Sequence, residues 1–225
     1  MRFQDAARDG RAVVYAGIQA DPLVGRAAEL LTDARPAERV MARAVMNGES
    51  TDRATWTAMF PTLFGPGAEG DADERSRTEA LLDAALDVAE RGEAVRSQFR
   101  GAIVEELTAR LLARRVPAAI VRRERRILFD GVRAEIHPYD VTVERDAGAE
   151  AYDCKWGARG ISDDVLHQLD DARQHAAEEE VDLRVTLVVF DARRSCEVRL
   201  ARSTAPTAAT RVVALDSVEE LARPA

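Results

Sequence analysis

The chain has 225 residues, of which 46% are hydrophobic and 32% charged, and its formal net charge at pH 7 is −8. These values indicate a soluble globular protein with one good core or two unequal ones. The sequence shows no apolar run of membrane-spanning length, no secretory signal and only two widely separated cysteines, which excludes a disulfide framework and a zinc knuckle and favours a cytoplasmic protein.

The N-terminal part of the chain is predicted to be helical. Apolar residues have helical spacing over residues 24–31 and 40–46, and residues 50–52 can cap a third helix over residues 53–59. Residues 1–64 contain no plausible cluster of ligands, so we interpret them as an interaction or assembly region. The glycine-rich stretch that follows predicts a linker over residues 65–75, ahead of a domain at 76–225.

The remaining chain predicts an α/β domain in which helices alternate with strands. Asp130-Gly131 is a typical hairpin turn, and the apolar run at residues 183–190 is typical of a central strand. In chain order, the predicted helices cover residues 76–91, 93–114 and 163–179, and the predicted strands cover residues 119–129, 132–143, 151–156, 183–190, 197–201 and 211–215.

Lys155 is the only lysine among 32 basic residues, which suggests a site that needs a compact ammonium. Side chains alternate along a strand, so Asp153 and Lys155 should project from the same face. A short turn makes the strand of Asp140 an antiparallel neighbour. Adjacent carboxylates repel unless a cation lies between them, which favours Mg²⁺, with Mn²⁺ as a substitute. The alternative is an exposed Asp–Lys pair of little consequence.

A dense run of arginines between residues 110 and 126 is the strongest basic feature of the chain. Arg122 and Arg123 are candidate contacts to a phosphate backbone. The alternative is a solvated surface with ion pairs. Because the net charge is negative, the chain alone should bind nucleic acid weakly.

The order of elements and the triplet Asp140 … Asp153-Cys154-Lys155 resemble the PD-(D/E)XK nuclease superfamily, which has the restriction-endonuclease-like fold. The resemblance covers about residues 95–192. It implies a core of a helix, a three-strand meander, a second helix and a further strand. It also implies a metal-binding glutamate on the first helix, favouring Glu105, although periodicity alone allows its neighbour Glu106. Gln168 resembles a polar residue that many relatives direct at the site or the substrate backbone.

Two functional hypotheses follow from this resemblance. The first is a metal-dependent nuclease, endonuclease favoured, in which Asp140, Asp153 and Glu105 bind Mg²⁺ while Lys155 activates or orients the nucleophile or stabilises the transition state. Its substrate is DNA in preference to RNA, and it works with a protein partner or as a homo-oligomer in a larger complex, such as an antiviral defence or repair system. The second is a catalytically inactive binding or assembly module on the same fold.

Overall fold

The computed structural model describes residues 1–6, 10–68, 70–133, 137–207 and 209–224, and the chain divides into two units. The first, here called the sheet unit, comprises Met1–Asp9 and Thr108–Ala225. The second, the helical unit, comprises Gly10–Leu107. Among the described residues, no helix has both the length and the apolarity required to cross a membrane.

The helical unit contains six helices and the greater part of a seventh within its described residues. An Asp–Glu capping box of Asp71 and Glu74 starts α6, and α2 and α3 both pack against this helix. Val24 of α2, Met41 of α3 and Leu82 of α6 are fully buried. The helices are α1 (Gly10–Gln19), α2 (Pro22–Thr32), α3 (Pro36–Asn47), α4 (Arg53–Met59), α5 (Pro61–Phe64), α6 (Ala72–Ala89) and α7 (Glu93–Ala113).

The sheet unit is built on a mixed sheet, which with its helices makes the fold α/β as the sequence predicts. Within the described residues the sheet has seven strands, in the order β1-β2-β4-β5-β6-β7, with β3 pairing β2. The strands are β1 (Arg2–Asp5), β2 (Val121–Phe129), β3 (Val132–Arg133), β4 (Tyr139–Arg145), β5 (Gly148–Lys155), β6 (Leu183–Val189) and β7 (Arg211–Ala214); the helices are α8 (Asp163–Glu178) and α9 (Arg193–Leu200).

Strand pairing changes from antiparallel to parallel at β5. Each of the strands β1, β2, β4 and β5 is antiparallel to its neighbour in this order, whereas β5, β6 and β7 run parallel. The parallel crossover from β5 to β6 is made by α8, which Ser162 caps by accepting the N–H of Val165. Leu166 and Leu169 of α8 are buried in one hydrophobic cluster with Leu187 and Val189 of β6. The predicted central position of the 183–190 strand is confirmed, because β6 lies between β5 and β7.

Most predicted elements are present, including the hairpin at Asp130-Gly131, where both residues have positive φ (45° and 81°), as a primed two-residue turn requires. The predicted strand over residues 132–143 is divided between β3 and β4, and residues 134–136 of it lie outside the described residues. Strand β1 was not predicted from the sequence; it is an edge strand whose Phe3 pairs with Ile127.

Two sequence predictions differ from the structure for reasons of packing. The predicted strand at residues 197–201 is wrong: residues 197–200 belong to α9, in which Cys196 and Leu200, one helical turn apart, face the core, and Ala201 is the C-cap. The chain also divides at a different place from the predicted boundary at residues 65–75. The apolar face of α6 packs on α2 and α3, so the helical unit continues past this segment to Leu107.

Candidate active site

The candidate site in the sheet unit lies where β2, β4 and β5 run side by side. Val141 pairs with Tyr152 in the antiparallel β4–β5 ladder, and continuing that register by one residue brings Asp140 opposite Asp153. The predicted antiparallel neighbourhood of these two strands is therefore confirmed. Asp140 Oδ2 accepts a hydrogen bond from the main-chain N–H of Cys154 at 2.6 Å, which fixes its carboxylate beside the chain that carries Asp153 and Lys155.

Lys155 forms an ion pair with Asp153. This contact confirms that the two side chains project from the same face of β5. Asp153 is only 4% exposed, so the pair lies at the edge of the core and not on an open surface. The exposed Asp–Lys pair considered as the alternative is therefore not what the structure shows. On the opposite face, Cys154 Sγ lies 3.5 Å from Thr108 Oγ1, on the part of α7 that belongs to the sheet unit.

The environment of Lys155 keeps its ammonium charged. Burial opposes the charged form, but the carboxylates of Asp153 and Asp140 outweigh it and hold the pKa of Lys155 above its ordinary value. Whether Lys155 activates a nucleophile or stabilises negative charge stays a prediction.

A second carboxylate beside Asp140 comes from Glu124, which is not among the site residues predicted from the sequence. Arg123 pairs with Val141 and Arg125 pairs with Tyr139, so Glu124 stands opposite Asp140 between these two pairs. A carboxylate oxygen of Glu124 lies within 4.8 Å of a carboxylate oxygen of Asp140, a separation that one cation can bridge. The signal in the sequence is a single acid inside the run of arginines at residues 122–126.

The backbone of Glu124 is unusual. Its φ is +52°, in the left-handed region that non-glycine residues rarely adopt, and its carbonyl accepts a hydrogen bond from the N–H of Ala6 at 3.0 Å. Such a conformation costs about 1 kcal/mol or more and persists where surrounding structure imposes it. Strained residues of this kind concentrate at functional sites, which singles out Glu124 among the acids of the sheet.

Glu105 and Glu106 lie on the part of α7 that belongs to the helical unit. Glu105 is 5% exposed, and its carboxylate accepts hydrogen bonds from Tyr15 at 2.5 Å and from Gln19 at 2.7 Å, both on α1. Glu106 is half-buried. The sequence-based preference for Glu105 is compatible with this burial, and its role as a metal ligand stays a prediction.

The three predicted substrate contacts have different surroundings. Gln168 is buried and bonds through both ends of its amide to the main chain of His137, shortly before β4. The structure thus gives this amide a role in positioning the strand of Asp140. Arg122 is exposed and Arg123 is half-buried on β2, next to Glu124. Contact of any of the three with a substrate stays a prediction.

Carboxylate oxygens are the donors that hard divalent cations such as Mg²⁺ and Mn²⁺ prefer. The donor set at Glu124 and Asp140 therefore fits such an ion.

Comparisons with protein-family models, with curated proteins and with solved structures find no match to this chain.

Proposed function

We propose that this protein is a metal-dependent nuclease that hydrolyses phosphodiester bonds, with DNA favoured over RNA. The observation that supports the proposal most directly is the alignment of three acids and one amine across adjacent strands. Glu124 and Asp140 stand opposite each other, and the Asp153–Lys155 ion pair lies on the next strand. The order of elements around them, with a meander followed by α8 and the parallel β6, is compatible with a restriction-endonuclease-like core.

In this proposal Glu124 and Asp140 would hold a divalent cation, with Asp153 beside them; the role of Glu105 as a metal ligand, which the family resemblance implies, stays a prediction. A bound Mg²⁺ would supply a Lewis acid that polarises the phosphate and acidifies water. The chain itself orients the carboxylates. The N–H of Cys154 fixes Asp140, and the amide of Gln168 holds the main chain that leads into β4.

Lys155 places a fixed positive charge at this site. Asp153 orients its ammonium, and burial strengthens its electrostatic effect because less water screens it. Negative charge grows on the phosphoryl oxygens as a phosphodiester is attacked, and a charge already in position stabilises it without reorganisation. Arg122 and Arg123 on β2 are proposed to contact neighbouring phosphates of the substrate.

The proposal is tested by incubating the protein with plasmid, linear duplex, single-stranded DNA and RNA, in Mg²⁺, Mn²⁺ or EDTA. We expect cleavage of at least one DNA substrate that requires metal and is lost in Lys155→Ala and Asp140→Asn. Asp171→Asn, which removes an exposed carboxylate from α8, is the matched control and should cleave normally. Cleavage that persists in EDTA, or that survives in both site variants, would contradict the proposal. The absence of cleavage of all four substrates would favour the inactive binding module.

A further inference from the structure

A second charged region of the sheet unit lies at the other end of β5. It consists of two adjoining hollows, of about 490 Å³ and about 200 Å³, that share Arg115, Glu150 and Pro224 as walls. We call the two hollows together the Arg115 groove. Glu150 and Lys155 are five residues apart on one strand, or roughly 16 Å at the rise of an extended chain. The groove is therefore separate from the acidic site.

The floor of the groove is a buried ion network. Arg115 donates from two guanidinium nitrogens to the two carboxylate oxygens of Glu150, and its third nitrogen donates to the carbonyl of Leu221 at 2.9 Å. Tyr152 also donates to Glu150, and Arg145 donates to it at 2.7 Å. Both Arg115 and Glu150 have side chains more than nine-tenths buried.

This network carries an excess of positive charge. Burial alone would raise the pKa of Glu150, but its hydrogen bonds from Arg115, Tyr152 and Arg145 lower it to about 2, so the carboxylate is ionised at neutral pH. One carboxylate thus faces two guanidinium groups. Arg145 keeps 38% of its side chain exposed, so part of its guanidinium can still reach a ligand.

The rim of the groove adds three more arginines. Arg184, Arg211 and Arg223 are exposed, and within the described residues only Arg184 has an ion-pair partner, Asp182 at a distance of 3.9 Å. Five arginines therefore line the two hollows against three acids, Glu150, Asp182 and Glu220, giving +5 − 3 = +2. This local excess occurs in a chain whose net charge is −8.

An ion network that served stability alone would be complete with Arg115, Tyr152 and Glu150. The remaining arginines line the open volume of the two hollows, Arg145 and Arg184 in the larger one and Arg211 and Arg223 in the smaller one. Guanidinium groups match phosphate oxygens through paired, planar hydrogen bonds. Because each hollow has two arginines besides Arg115, each can receive one anionic group.

We infer that the Arg115 groove binds a ligand with two neighbouring phosphate groups, one in each hollow. Two sources have this chemistry, namely a diphosphate such as a nucleotide tail and consecutive phosphodiesters of a single nucleic-acid strand. The inference does not rest on the proposed nuclease activity, because none of the residues that line the groove belongs to the acidic site.

The test measures binding to the full chain by titration calorimetry at low ionic strength with EDTA present, which excludes metal-mediated binding. The probes are inorganic phosphate, pyrophosphate and a short single-stranded oligothymidylate without a terminal phosphate. The groove variant is Arg211→Gln with Arg223→Gln. The control is Arg194→Gln with Arg202→Gln, which removes the same charge from exposed positions elsewhere in the sheet unit.

We expect wild type to bind pyrophosphate or the oligonucleotide with a Kd on the order of 0.1 mM, and the groove variant to bind at least roughly tenfold more weakly. The control should bind as wild type does. Tight binding of pyrophosphate identifies a diphosphate ligand, and binding of the oligonucleotide alone identifies a nucleic-acid strand. Equal losses in the two double variants, or no binding of either probe at about 10 mM, would overturn the inference.

Discussion

Gln168 holds the main chain of His137 from both sides. Its Nε2 donates to the His137 carbonyl and its Oε1 accepts the His137 N–H, each at 3.1 Å. The clasped residue lies three positions before Asp140, so α8 determines where β4 enters the site. An amide bound in this way positions the main chain that leads into β4, and its contact with a substrate stays a prediction.

Gln168→Leu should therefore weaken both the fold and the site. The substitution leaves a buried main-chain donor and acceptor without their partner, which should lower the free energy of unfolding by about 1–3 kcal/mol. Urea denaturation measures this loss, and Mg²⁺ titration of the folded variant should show weaker binding because Asp140 is displaced. Gln174→Leu, at an exposed position of the same helix, is the control. Equal stability of the two variants would show that the clasp contributes nothing.

The positive φ of Glu124 predicts an inverted order of stability for two small substitutions. In an ordinary strand, glycine is less stable than alanine, but at a φ of 52° glycine is favoured. Glu124→Gly should be more stable than Glu124→Ala by about 1 kcal/mol, and both should lose stabilisation by Mg²⁺ because both lose the carboxylate. Denaturation with and without Mg²⁺ measures both effects. If the alanine variant were the more stable one, the backbone at this position would carry no strain.

The outcome at Glu124 illustrates what the sequence can and cannot predict. The position of Asp140 beside the strand of Asp153 and Lys155 could be predicted, because a short turn fixes the register of consecutive antiparallel strands. The position of Glu124 could not be predicted. The Asp130-Gly131 turn pairs Phe129 with Val132, whereas β4 pairs with β2 in a register displaced by three residues.

The place at which the chain divides into two units could not be predicted from the sequence either. The glycine-rich segment is a clear local signal, but the partner of an amphipathic helix is a long-range property that local spacing does not specify. The apolar face of α6 packs against α2 and α3. The edge strand β1 was missed because four residues, of which three are polar, give little periodicity. The proposed assembly role of residues 1–64 stays a prediction.

Asp140→Asn should abolish stabilisation by Mg²⁺ without destabilising the metal-free protein. Asparagine retains an oxygen that can accept the Cys154 N–H, and it removes a charge within 4.8 Å of Glu124. Relief of that repulsion is worth about 1 kcal/mol or more and offsets the lost attraction between Asp140 and the Lys155 ammonium. Thermal unfolding in EDTA and in Mg²⁺ measures both effects, with Asp171→Asn as control. An unchanged response to Mg²⁺ would remove Asp140 from the proposed metal site.

Gly160 tests the position of Lys155 without changing a charge. A Cβ at residue 160 would lie 2.9 Å from Lys155 Cδ and 3.0 Å from its Cβ, so Gly160→Ala must displace the lysine stem. If the proposed function is correct, cleavage should fall by roughly tenfold or more while the fold is retained. Gly67→Ala, whose new Cβ meets nothing within 4 Å, is the control.

Lys155→Arg keeps the charge and changes the shape of the side chain. A planar guanidinium is broader than an ammonium and cannot take the same place between Asp153 and Gly160, so the cleavage assay should show a large loss of activity. Circular dichroism and thermal unfolding check that the variant is folded. Near wild-type cleavage by this variant would mean that the lone lysine has no special role.

Glu150 makes a pH-dependent contribution to stability whose sign follows from its lowered pKa. The carboxyl titrates at about 2 in the folded protein and near its ordinary value of 4.5 when unfolded. Its stabilising contribution is therefore complete above pH 4.5 and is lost as the pH falls from 4.5 towards 2, with an upper value of roughly 3 kcal/mol. Glu150→Gln lacks this contribution and leaves Arg115 buried beside a neutral amide.

The variant should thus be less stable than wild type by about 2–3 kcal/mol at pH 7, and the difference should shrink as the pH falls from 5 to 3. Chemical denaturation across this range measures the difference curve. Glu197→Gln removes an exposed carboxylate of α9 and should behave as wild type at every pH. A penalty in Glu150→Gln that stayed constant between pH 7 and pH 3 would show that packing, and not charge compensation of Arg115, stabilises the floor of the Arg115 groove.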